Sequence, residues 1–303
     1  IPDRARYIRT IIAELERIHS HLLWLGLGAH IIGFDTLFMW AWKYREPILD
    51  VFEMVTGNRQ SYAMNRIGGV RRDLLDEHKP KILRVMDGVE KDVKRIINMV
   101  LEDPVARKRL EHVGVLSRED ARKYCVVGPT ARGSGIRIDT RKDHPYAAYD
   151  EVSFDVPTRE EGDVMAKTVV RLEEMLQSIE IVRQCLDSMP GGEIVAEVKE
   201  VPEGDGIGLG EAPRGEDIHY VRSNGSNFPE RVKVRAPTYA NLPSLKNQVP
   251  GYRIADAPII IAAIDPCLCC TDRVAIVDIR DGRKKIITER EFHEYSRNAT
   301  RRV

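Results

Sequence analysis

The feature that most constrains the fold is a stripe of apolar residues that recurs along the chain at alternating spacings of three and four. Residues at these spacings share one face of an α-helix, because a helix completes a turn about every 3.6 residues. The stripe occupies Ile8, Ile11, Leu15, Ile18, Leu22 and Leu25, then Ile82, Met86, Val89, Val93, Ile96 and Val100, and then Met165, Val169, Leu172, Leu176 and Ile179. The sequence therefore predicts long helices that each bury one face.

Local signals set the expected ends of the helices: a proline in the first turn, a glycine after the last turn, or a hydroxyl residue three positions before an acid. These signals predict a first helix that begins at Pro2 and a second from near Asp35 to Val55 that stops at Gly57-Asn58. They also predict a short helix that Ser117-x-x-Asp120 starts. A further long helix is expected to start at the capping box Thr158-x-x-Glu161 and to end at Met189-Pro190.

The composition changes after this last helix. Residues from 192 to about 258 are rich in Gly, Pro, Asn and short β-branched runs, which predicts short strands and loops that pack on the helices. A short buried run at 257–264 leads into a cysteine cluster. Beyond it we expect a hairpin of 274–279 and 285–288 with an Asp281-Gly282 turn, and a final helix capped by Thr288-x-x-Glu291.

Residues 1–303 are therefore predicted to form one mainly α domain, a bundle of long helices with a smaller β and loop subdomain. In this prediction 1–190 form the bundle, 191–264 the β-rich excursion, 265–273 the cysteine motif and 274–303 a C-terminal extension. The chain opens on Ile1-Pro2 and enters a helix at once, so we expect that a natural N-terminal part is missing from it.

Composition narrows the possible partners and compartments. Lys and Arg together number 47, as do Asp and Glu, so the chain has no net positive charge with which to collect nucleic acid. Its five cysteines, three of them crowded together, favour a reducing compartment over a secreted disulfide framework. Residues 22–42 are the candidate membrane span, but His30, Asp35 and glycines interrupt them, so a buried helix pair is the better interpretation.

The sharpest chemical signal is the segment Asp265-Pro266-Cys267-Leu268-Cys269-Cys270-Thr271-Asp272-Arg273. Cys267 and Cys270 form a Cys-x-x-Cys turn, whose two-residue gap lets both thiolates reach one metal. Thiolates suit zinc, copper(I), nickel or iron–sulfur centres, but two thiolates do not complete a site. A pair of buried cysteines or a redox dithiol explains the spacing about equally well. The spacing alone leaves these alternatives open.

Other polar residues carry weaker signals. His19 and His21 lie two apart on the first predicted helix and so point to different faces, where each is expected to be a satisfied or exposed residue. The glycine runs at 133–135 and 204–210 are expected to be loops, without the strand–helix frame of a nucleotide site. Arg214, between Pro213 and Gly215, can reach a buried anionic centre, although an ordinary surface ion pair is the commoner fate of such an arginine.

Several blocks, taken together and in order, resemble one family. They include Glu14-Leu15-Glu16-Arg17-Ile18-His19-Ser20-His21 and Pro213-Arg214-Gly215-Glu216, within the wider blocks 13–26, 45–50, 67–73, 128–135, 190–193, 213–216 and 234–237. Over nearly its whole length the chain resembles the large subunits of group-4 membrane-bound NiFe hydrogenases and the homologous 49-kDa-type subunit of respiratory complex I. The cysteine block separates the two branches, because complex I subunits lack the metal cysteines that this chain keeps. The quinone-site aspartate of the complex I branch aligns with Ile31.

The resemblance implies reversible reduction of protons to H₂ at a nickel–iron centre with cyanide and carbonyl ligands. It implies that Cys267 and Cys270 ligate nickel, with Cys270 bridging to iron, and that Cys269 occupies a variable position that is not a ligand. Arg214 matches the arginine suspended over the metals, and Asp265 the acid that orients their ligands. The implied partners are a small subunit with an iron–sulfur cluster and membrane-arm subunits, with this chain peripheral on the cytoplasmic side of the cell membrane.

Because the chain departs from the family pattern in two respects, other functions also fit the sequence. The family's other Cys-x-x-Cys precedes the first long helix, in a part that this sequence does not show. Residues 274–303 resemble a C-terminal extension that hydrogenases commonly remove after metal insertion. The alternatives are a non-hydrogenase redox subunit, of the sulfane sulfur reductase or quinone oxidoreductase type, and a structural role in which the cysteines bind zinc or are simply buried.

Overall fold

The computed structural model of the chain describes residues 1–60, 62–198, 200–271, 274–277, 282, 284–287 and 289–300. They belong to two compact units, Ile1–Asp265 and Pro266–Val303. The first unit contains the long helices and most of the β-structure, and the second contains the cysteine turn, a hairpin and a helix.

Helices dominate the described part of the chain. They are α1 (Asp3–Ile31), α2 (Asp35–Thr56), α3 (Lys79–Glu102), α4 (Pro104–Leu110), α5 (Arg118–Lys123), α6 (Gly128–Arg132), α7 (Thr140–Asp143), α8 (Val164–Ser188), α9 (Pro237–Asn241), α10 (Leu245–Gln248), α11 (Ala257–Ala263) and α12 (Glu289–Thr300), with 3₁₀ turns at Leu242–Ser244, Ile254–Asp256 and Leu268–Cys270. The strands are β1 (Asn65–Arg66), β2 (Gly69–Val70), β3 (Glu203–Ala212), β4 (Gly215–Asn224), β5 (Arg231–Arg235), β6 (Val274–Val277) and β7 (Lys284–Ile287). The predicted mainly α fold is confirmed.

Helix α1 organises the core of the first unit, because it packs against both α2 and α8, while α3 packs against α8. The predicted stripes face this core. Ile8, Ile11, Leu15 and Ile18 of α1 are fully inaccessible, and no stripe residue of α3 is more than 2% exposed. Each such side chain contributes roughly 1.5–3 kcal/mol on burial, so the stripes account for much of what holds the bundle together.

The candidate membrane span is a helix pair, as predicted, but it is buried only in part, since Leu27, Ile31 and Met39 are exposed. Helices α1 and α2 meet at Gly33, which has a left-handed φ of 84°. Helix α2 ends at Gly57, also left-handed with φ 80°, as the sequence indicates. In the ranges that the structure describes, no helix is both long and apolar enough to cross a membrane.

Helix α8 begins later than predicted. Its first residue is Val164, and its cap is Asp163, whose carboxylate accepts from the Ala166 backbone N–H at 2.7 Å. The capping box predicted at Thr158-x-x-Glu161 is therefore wrong. Gly162 has a φ of 69°, and a helix cannot continue through a left-handed residue, so the helix has to start after it.

The β-rich segment contains one three-stranded antiparallel sheet, ordered β3–β4–β5. The glycines at 204–210 lie within strand β3, so the prediction of a loop there is wrong. Residues 237–248 form short helices where strands and loops are expected, and the expected buried run is the helix Ala257–Ala263, in which Ile259, Ile260 and Ala263 are inaccessible. Gly and Pro mark interruptions of the chain but do not distinguish short helices from short strands.

The second unit contains the predicted hairpin and final helix. Strands β6 and β7 pair antiparallel, with Val274 opposite Ile287, and α12 follows. The expected turn residue Asp281 and the expected cap Thr288 lie outside the described residues.

Candidate active site

Arg214 lies in the two-residue turn that joins β3 to β4, since Ala212 pairs with Gly215. Gly215 has a φ of 124°, which a residue with a side chain rarely adopts. The turn packs directly on the start of α6, because a Cβ added to Gly128 would lie 2.3 Å from the Arg214 carbonyl oxygen. Two facing glycines therefore let two backbones touch and fix the position from which Arg214 projects.

The side chain of Arg214 pairs with Asp265. Its Nη2 lies 3.0 Å from Asp265 Oδ1, and its Nε donates to the Asp265 carbonyl oxygen at 2.9 Å. Asp265 has a left-handed φ of 53°, and its other carboxylate oxygen, Oδ2, is buried without a hydrogen-bond partner. The two predicted catalytic residues come together in a strained, partly unsatisfied arrangement of the kind that concentrates at functional sites.

Two further side chains hold the end of α11, the helix that leads to Asp265. Trp24 Nε1 donates to the Ala262 carbonyl oxygen at 2.6 Å, and Arg171 Nη2 donates to the Ala263 carbonyl oxygen at 2.8 Å. The Arg171 guanidinium also lies over the Trp24 ring, 4.1 Å from its centroid. Burial lowers the pKa of Arg171 to about 10, so the side chain remains a cation at neutral pH. These donors fix the backbone that enters Asp265.

Replacing Trp24 by phenylalanine is expected to lower the free energy of unfolding by about 1–2 kcal/mol, because the Ala262 carbonyl loses its donor while most of the ring stays. Urea unfolding of the purified protein measures the change. Trp40→Phe is the matched control, since this half-buried indole on α2 lies under Arg95 and the stacking survives. Its expected effect is below about 0.5 kcal/mol. Equal losses in the two variants would contradict the role given to Trp24.

Cys267 and Cys270 lie together in the second unit, at the start and the end of one 3₁₀ turn. The backbone N–H of Cys270 donates to the Cys267 carbonyl oxygen at 3.2 Å, and the Thr271 hydroxyl donates to the same oxygen at 3.0 Å. Cys267 is half-buried, whereas Cys269 and Cys270 are exposed. The predicted ligand pair therefore shares a single turn, as the Cys-x-x-Cys spacing indicates.

The donor chemistry of this turn fits a soft metal such as nickel, because thiolates are ligands that such metals prefer. Among the residues that the structure describes, no group of three or more His, Cys, Asp or Glu side chains could hold a metal ion. The turn thus offers two donors of the right kind, and a complete site requires others.

The interior of the first unit contains arginines, acids and one histidine that are almost wholly buried, and we call this set the buried charge network. Its members, none more than 5% exposed, are Glu14, Arg17, His21, Arg132, Asp139, Arg141, Glu174 and Glu211. Buried charges are costly unless they are paired and hydrogen-bonded. The charges therefore have to be paired within the network, and none of the motifs described above predicts this pairing.

Glu14 is the centre of one half of the network. Both its oxygens lie 3.1 Å from Arg141 Nη1, and its Oε2 accepts from Arg17 Nε at 3.2 Å and from the Ser178 hydroxyl at 2.5 Å. The Tyr149 hydroxyl donates to its Oε1. Burial by itself would raise the pKa of Glu14, but the two guanidinium groups outweigh burial and lower it to about 2. Glu14 is therefore ionised at neutral pH.

Arg132 and Glu174 form the other half. Arg132 Nε donates to Glu174 Oε1 at 2.6 Å, and its Nη1 donates to Glu211 Oε1 at 2.8 Å. His21 Nε2 lies 2.9 Å from Glu174 Oε2. Burial lowers the pKa of His21 to about 4 although Glu174 opposes the shift, so the ring is neutral at pH 7 and donates its Nε2–H. Neither the histidine–acid pair nor the two arginine bridges join residues that are close in sequence.

The network ends at the Arg214 turn. Arg17 Nη2 donates to the Glu211 carbonyl oxygen at 2.6 Å, and its Nη1 donates to the Ala212 carbonyl oxygen at 3.1 Å. These two residues immediately precede Pro213 and Arg214. The buried charges therefore hold the strand end that carries the candidate catalytic arginine.

A second stripe in the sequence could have revealed these residues. Glu14, Arg17 and His21 recur at spacings of three and four on α1, and Arg171, Glu174 and Ser178 do so on α8. A polar stripe beside an apolar stripe on one helix normally faces water. Here both stripes are buried, because α1 is enclosed on more than one side.

Known proteins with similar sequences include hydrogenase subunits and subunits of NADH-quinone oxidoreductases. A family profile described as respiratory-chain NADH dehydrogenase, 49 Kd subunit, matches residues 32–201 and 194–273. The membrane-bound hydrogenase subunit alpha of Pyrococcus furiosus is 41% identical over 100% of this chain and 74% of its own length. The carbon monoxide-induced hydrogenase of Rhodospirillum rubrum is 42% identical over 90% of this chain and 76% of its own length. An NADH-quinone oxidoreductase subunit of Aquifex aeolicus is 42% identical over 90% of this chain and 49% of its own length.

Proposed function

The chain belongs to the family of respiratory-chain NADH dehydrogenase 49 kDa subunits and their membrane-bound hydrogenase relatives, and on this premise we propose that it is the catalytic large subunit of a membrane-bound, energy-converting NiFe hydrogenase. The proposed reaction is the reversible reduction of protons to H₂. Membership in a family of oxidoreductase subunits supports redox chemistry, while the choice of reaction depends on the site.

The observation that carries this choice is the Arg214–Asp265 pair, joined by a 3.0 Å contact, with Cys267 two residues further along the chain. Thiol ligands need a cationic neighbour to favour the thiolate form, and they need groups that orient them. In the sequence, the acid that Arg214 contacts precedes the Cys-x-x-Cys turn by two residues, and this arrangement supports a cationic and orienting role for the pair.

In the proposed reaction each residue has a defined role. Nickel and iron, when bound, would supply the Lewis acid that polarises the reacting molecule. Cys267 and Cys270 would hold nickel, and a terminal thiolate or Arg214 would be the base that takes up or gives the proton. Asp265 would keep the guanidinium oriented through its carboxylate and its carbonyl oxygen, both of which Arg214 contacts.

The partners follow from the same proposal. Electrons would come from an iron–sulfur cluster in a small partner subunit, because the five cysteines of this chain are too few to hold both centres. Membrane-arm subunits would complete the complex, with this chain peripheral on the cytoplasmic side. The name of the Pyrococcus furiosus relative, a membrane-bound hydrogenase subunit, supports such an assembly.

Metal analysis and hydrogen turnover of the full-length protein, assembled with its partner subunits, test the proposal. The wild-type complex is expected to contain nickel and iron and to evolve or take up H₂. Cys267→Ser and Cys270→Ser are each expected to lose nickel and turnover, because a hydroxyl is a poor ligand for a soft metal. Cys269→Ser, at an exposed position on the same turn, is the matched control and is expected to keep both. An assembled complex with intact cysteines but neither nickel nor hydrogen turnover would refute the proposal.

A second candidate is a redox subunit that reduces a quinone or polysulfide. The 42% identity to an NADH-quinone oxidoreductase subunit favours it, since this matches the level found for a hydrogenase. The same assembled complex distinguishes the two candidates. Quinone or polysulfide reduction that survives Cys267→Ser, without hydrogen turnover in the wild type, would establish the second.

A further inference from the structure

A groove open to solvent lies between α1 and α2 and has a volume of about 650 Å³. Ile12, Glu16, His19 and Leu23 line it from α1, where spacings of four, three and four place them on one face. Arg45 of α2 also lines it. The Arg214–Asp265 pair and the buried charge network do not explain these polar side chains.

His19 presents an unused donor to this groove. Arg45 Nη2 donates to His19 Nε2, so Nε2 is the acceptor and the ring proton is on Nδ1. His19 is only 8% exposed, and its Nδ1 is buried without a hydrogen-bond partner, 3.8 Å from Glu16 Oε2. Burial and the Arg45 charge lower the pKa of His19 to about 4, so the ring stays neutral at pH 7.

Glu16 has an unused acceptor. Its side chain is 39% exposed, but its Oε2 is buried without a hydrogen-bond partner. The Tyr62 side chain shares a hydrogen bond with Glu16. Buried polar atoms without partners are rare in folded proteins and call for an explanation in function or bound solvent.

Glu16 also lies close to the candidate active site, because it adjoins Arg17, whose guanidinium donates to the two carbonyl oxygens that immediately precede Pro213 and Arg214. Burial raises the pKa of its carboxyl group, and the hydrogen bond from Tyr62 and the charges of Arg214, Arg45 and Arg17 oppose that shift without cancelling it. Because Arg214 is among the charges that act on it, the proton affinity of Glu16 depends on the charge at Arg214. A carboxyl group that is open to solvent on one side and coupled to a reaction site on the other suits proton transfer.

We propose that Glu16 is a relay that carries protons between this groove and the Arg214 site, with the neutral ring of His19, fixed by Arg45, beside it in the groove. This inference rests on the proposed function. In the reducing direction the O–H bond of protonated Glu16 breaks, its proton passes to the base at the Arg214 site, and the carboxylate then binds a proton from groove water. In the oxidising direction each step reverses, and no electron moves through Glu16 in either.

Glu16→Gln in the assembled, metal-loaded complex tests the relay. The amide keeps the shape but carries no transferable acid proton, so hydrogen turnover is expected to fall roughly 100-fold at unchanged nickel content. Glu16→Asp, which restores a titratable acid, is expected to recover a substantial part of the rate. Glu53→Gln, at a 61% exposed carboxylate on α2, is the matched control and is expected to equal the wild type.

An infrared pH titration of the carboxyl band that Glu16→Gln removes gives a second measurement, independent of turnover. The Arg214 charge lowers the pKa of Glu16, so Arg214→Gln should move the midpoint of this band to higher pH by roughly one unit. Arg214→Lys keeps the charge and should leave the midpoint near its wild-type value.

The outcomes separate the relay from the proposed function. Wild-type rates in Glu16→Gln, in a complex that turns over hydrogen, would overturn the relay and leave the proposed function standing. A metal-loaded wild type without hydrogen turnover would overturn the proposed function, and the infrared titration would then decide the relay. A midpoint indifferent to Arg214→Gln would overturn the relay, whereas a shifted midpoint would support Glu16 as the proton carrier for another reaction at that site.

Discussion

Glu14→Gln is expected to lower the free energy of unfolding by about 3–5 kcal/mol at neutral pH, because it leaves two buried guanidinium groups, those of Arg17 and Arg141, without their shared anion. The side chain of Glu14 is fully buried and its carboxylate lies 3.1 Å from the Arg141 Nη1. Glutamine has nearly the same volume, so the loss reports charge and not packing. Chemical unfolding of the purified protein measures it.

The loss of stability in Glu14→Gln is expected to depend on pH. The pKa of Glu14 is about 2 in the folded protein and ordinarily 4.5, so its contribution is fully present above about pH 4.5 and is lost as the pH falls toward 2. The deficit of Glu14→Gln relative to wild type should therefore shrink over that range. Glu77→Gln, at a 71% exposed carboxylate, is the control and should change stability by less than about 0.5 kcal/mol at neutral pH. A deficit below about 1 kcal/mol at pH 7, or one constant with pH, would show that the network does not depend on this charge.

Gly128→Ala is expected to destabilise the protein by about 2–4 kcal/mol, since it combines a left-handed backbone with a steric clash. Gly128 has a φ of 64°, and its new Cβ would lie 2.3 Å from the Arg214 carbonyl oxygen and 2.5 Å from the Gly215 Cα. Both neighbours are backbone, so the hairpin tip itself has to move. If Arg214 acts in catalysis, hydrogen turnover of the assembled complex should fall roughly 100-fold with it.

Gly88→Ala is a control in which the expected change in stability has the opposite sign. Gly88 lies on an exposed face of α3, and an added Cβ would meet nothing within 4 Å. In a helix interior alanine is favoured over glycine by about 1 kcal/mol, so this variant should be more stable than wild type. Equal unfolding midpoints for Gly128→Ala and wild type would mean that the turn accommodates a side chain and that the contact with α6 does not position Arg214.

The sequence predicts the long helices well, because their signal is local and repeats every turn. The apolar stripes of α1, α3 and α8 and the glycine after α2 need no knowledge of distant residues. The start of α8 is misplaced because the capping box at Thr158 does not reveal the left-handed φ of Gly162, after which Asp163 caps the helix. The Cys-x-x-Cys spacing likewise predicts that Cys267 and Cys270 share a turn.

The polar interior could not be predicted in the same way. His21 pairs with Glu174, which is 153 residues away, and Arg17 reaches a carbonyl group 194 residues away. A periodic pattern within one segment cannot predict pairings between residues so far apart in the sequence. The sequence indicates Arg214 and Asp265 individually, but their contact depends on a hairpin turn, on two glycines that allow close approach and on donors from α1 and α8.

The buried charge network also restricts how proteins of this kind can diverge. Loss of any one of its arginines or acids leaves an opposite charge unpaired in the interior, so these residues have to be inherited or exchanged as a set. Cys267 and Cys270 are not members of that set. A lineage can therefore discard its thiol ligands and adopt a different electron acceptor, while it retains the ancestral interior that holds the arginine hairpin in place.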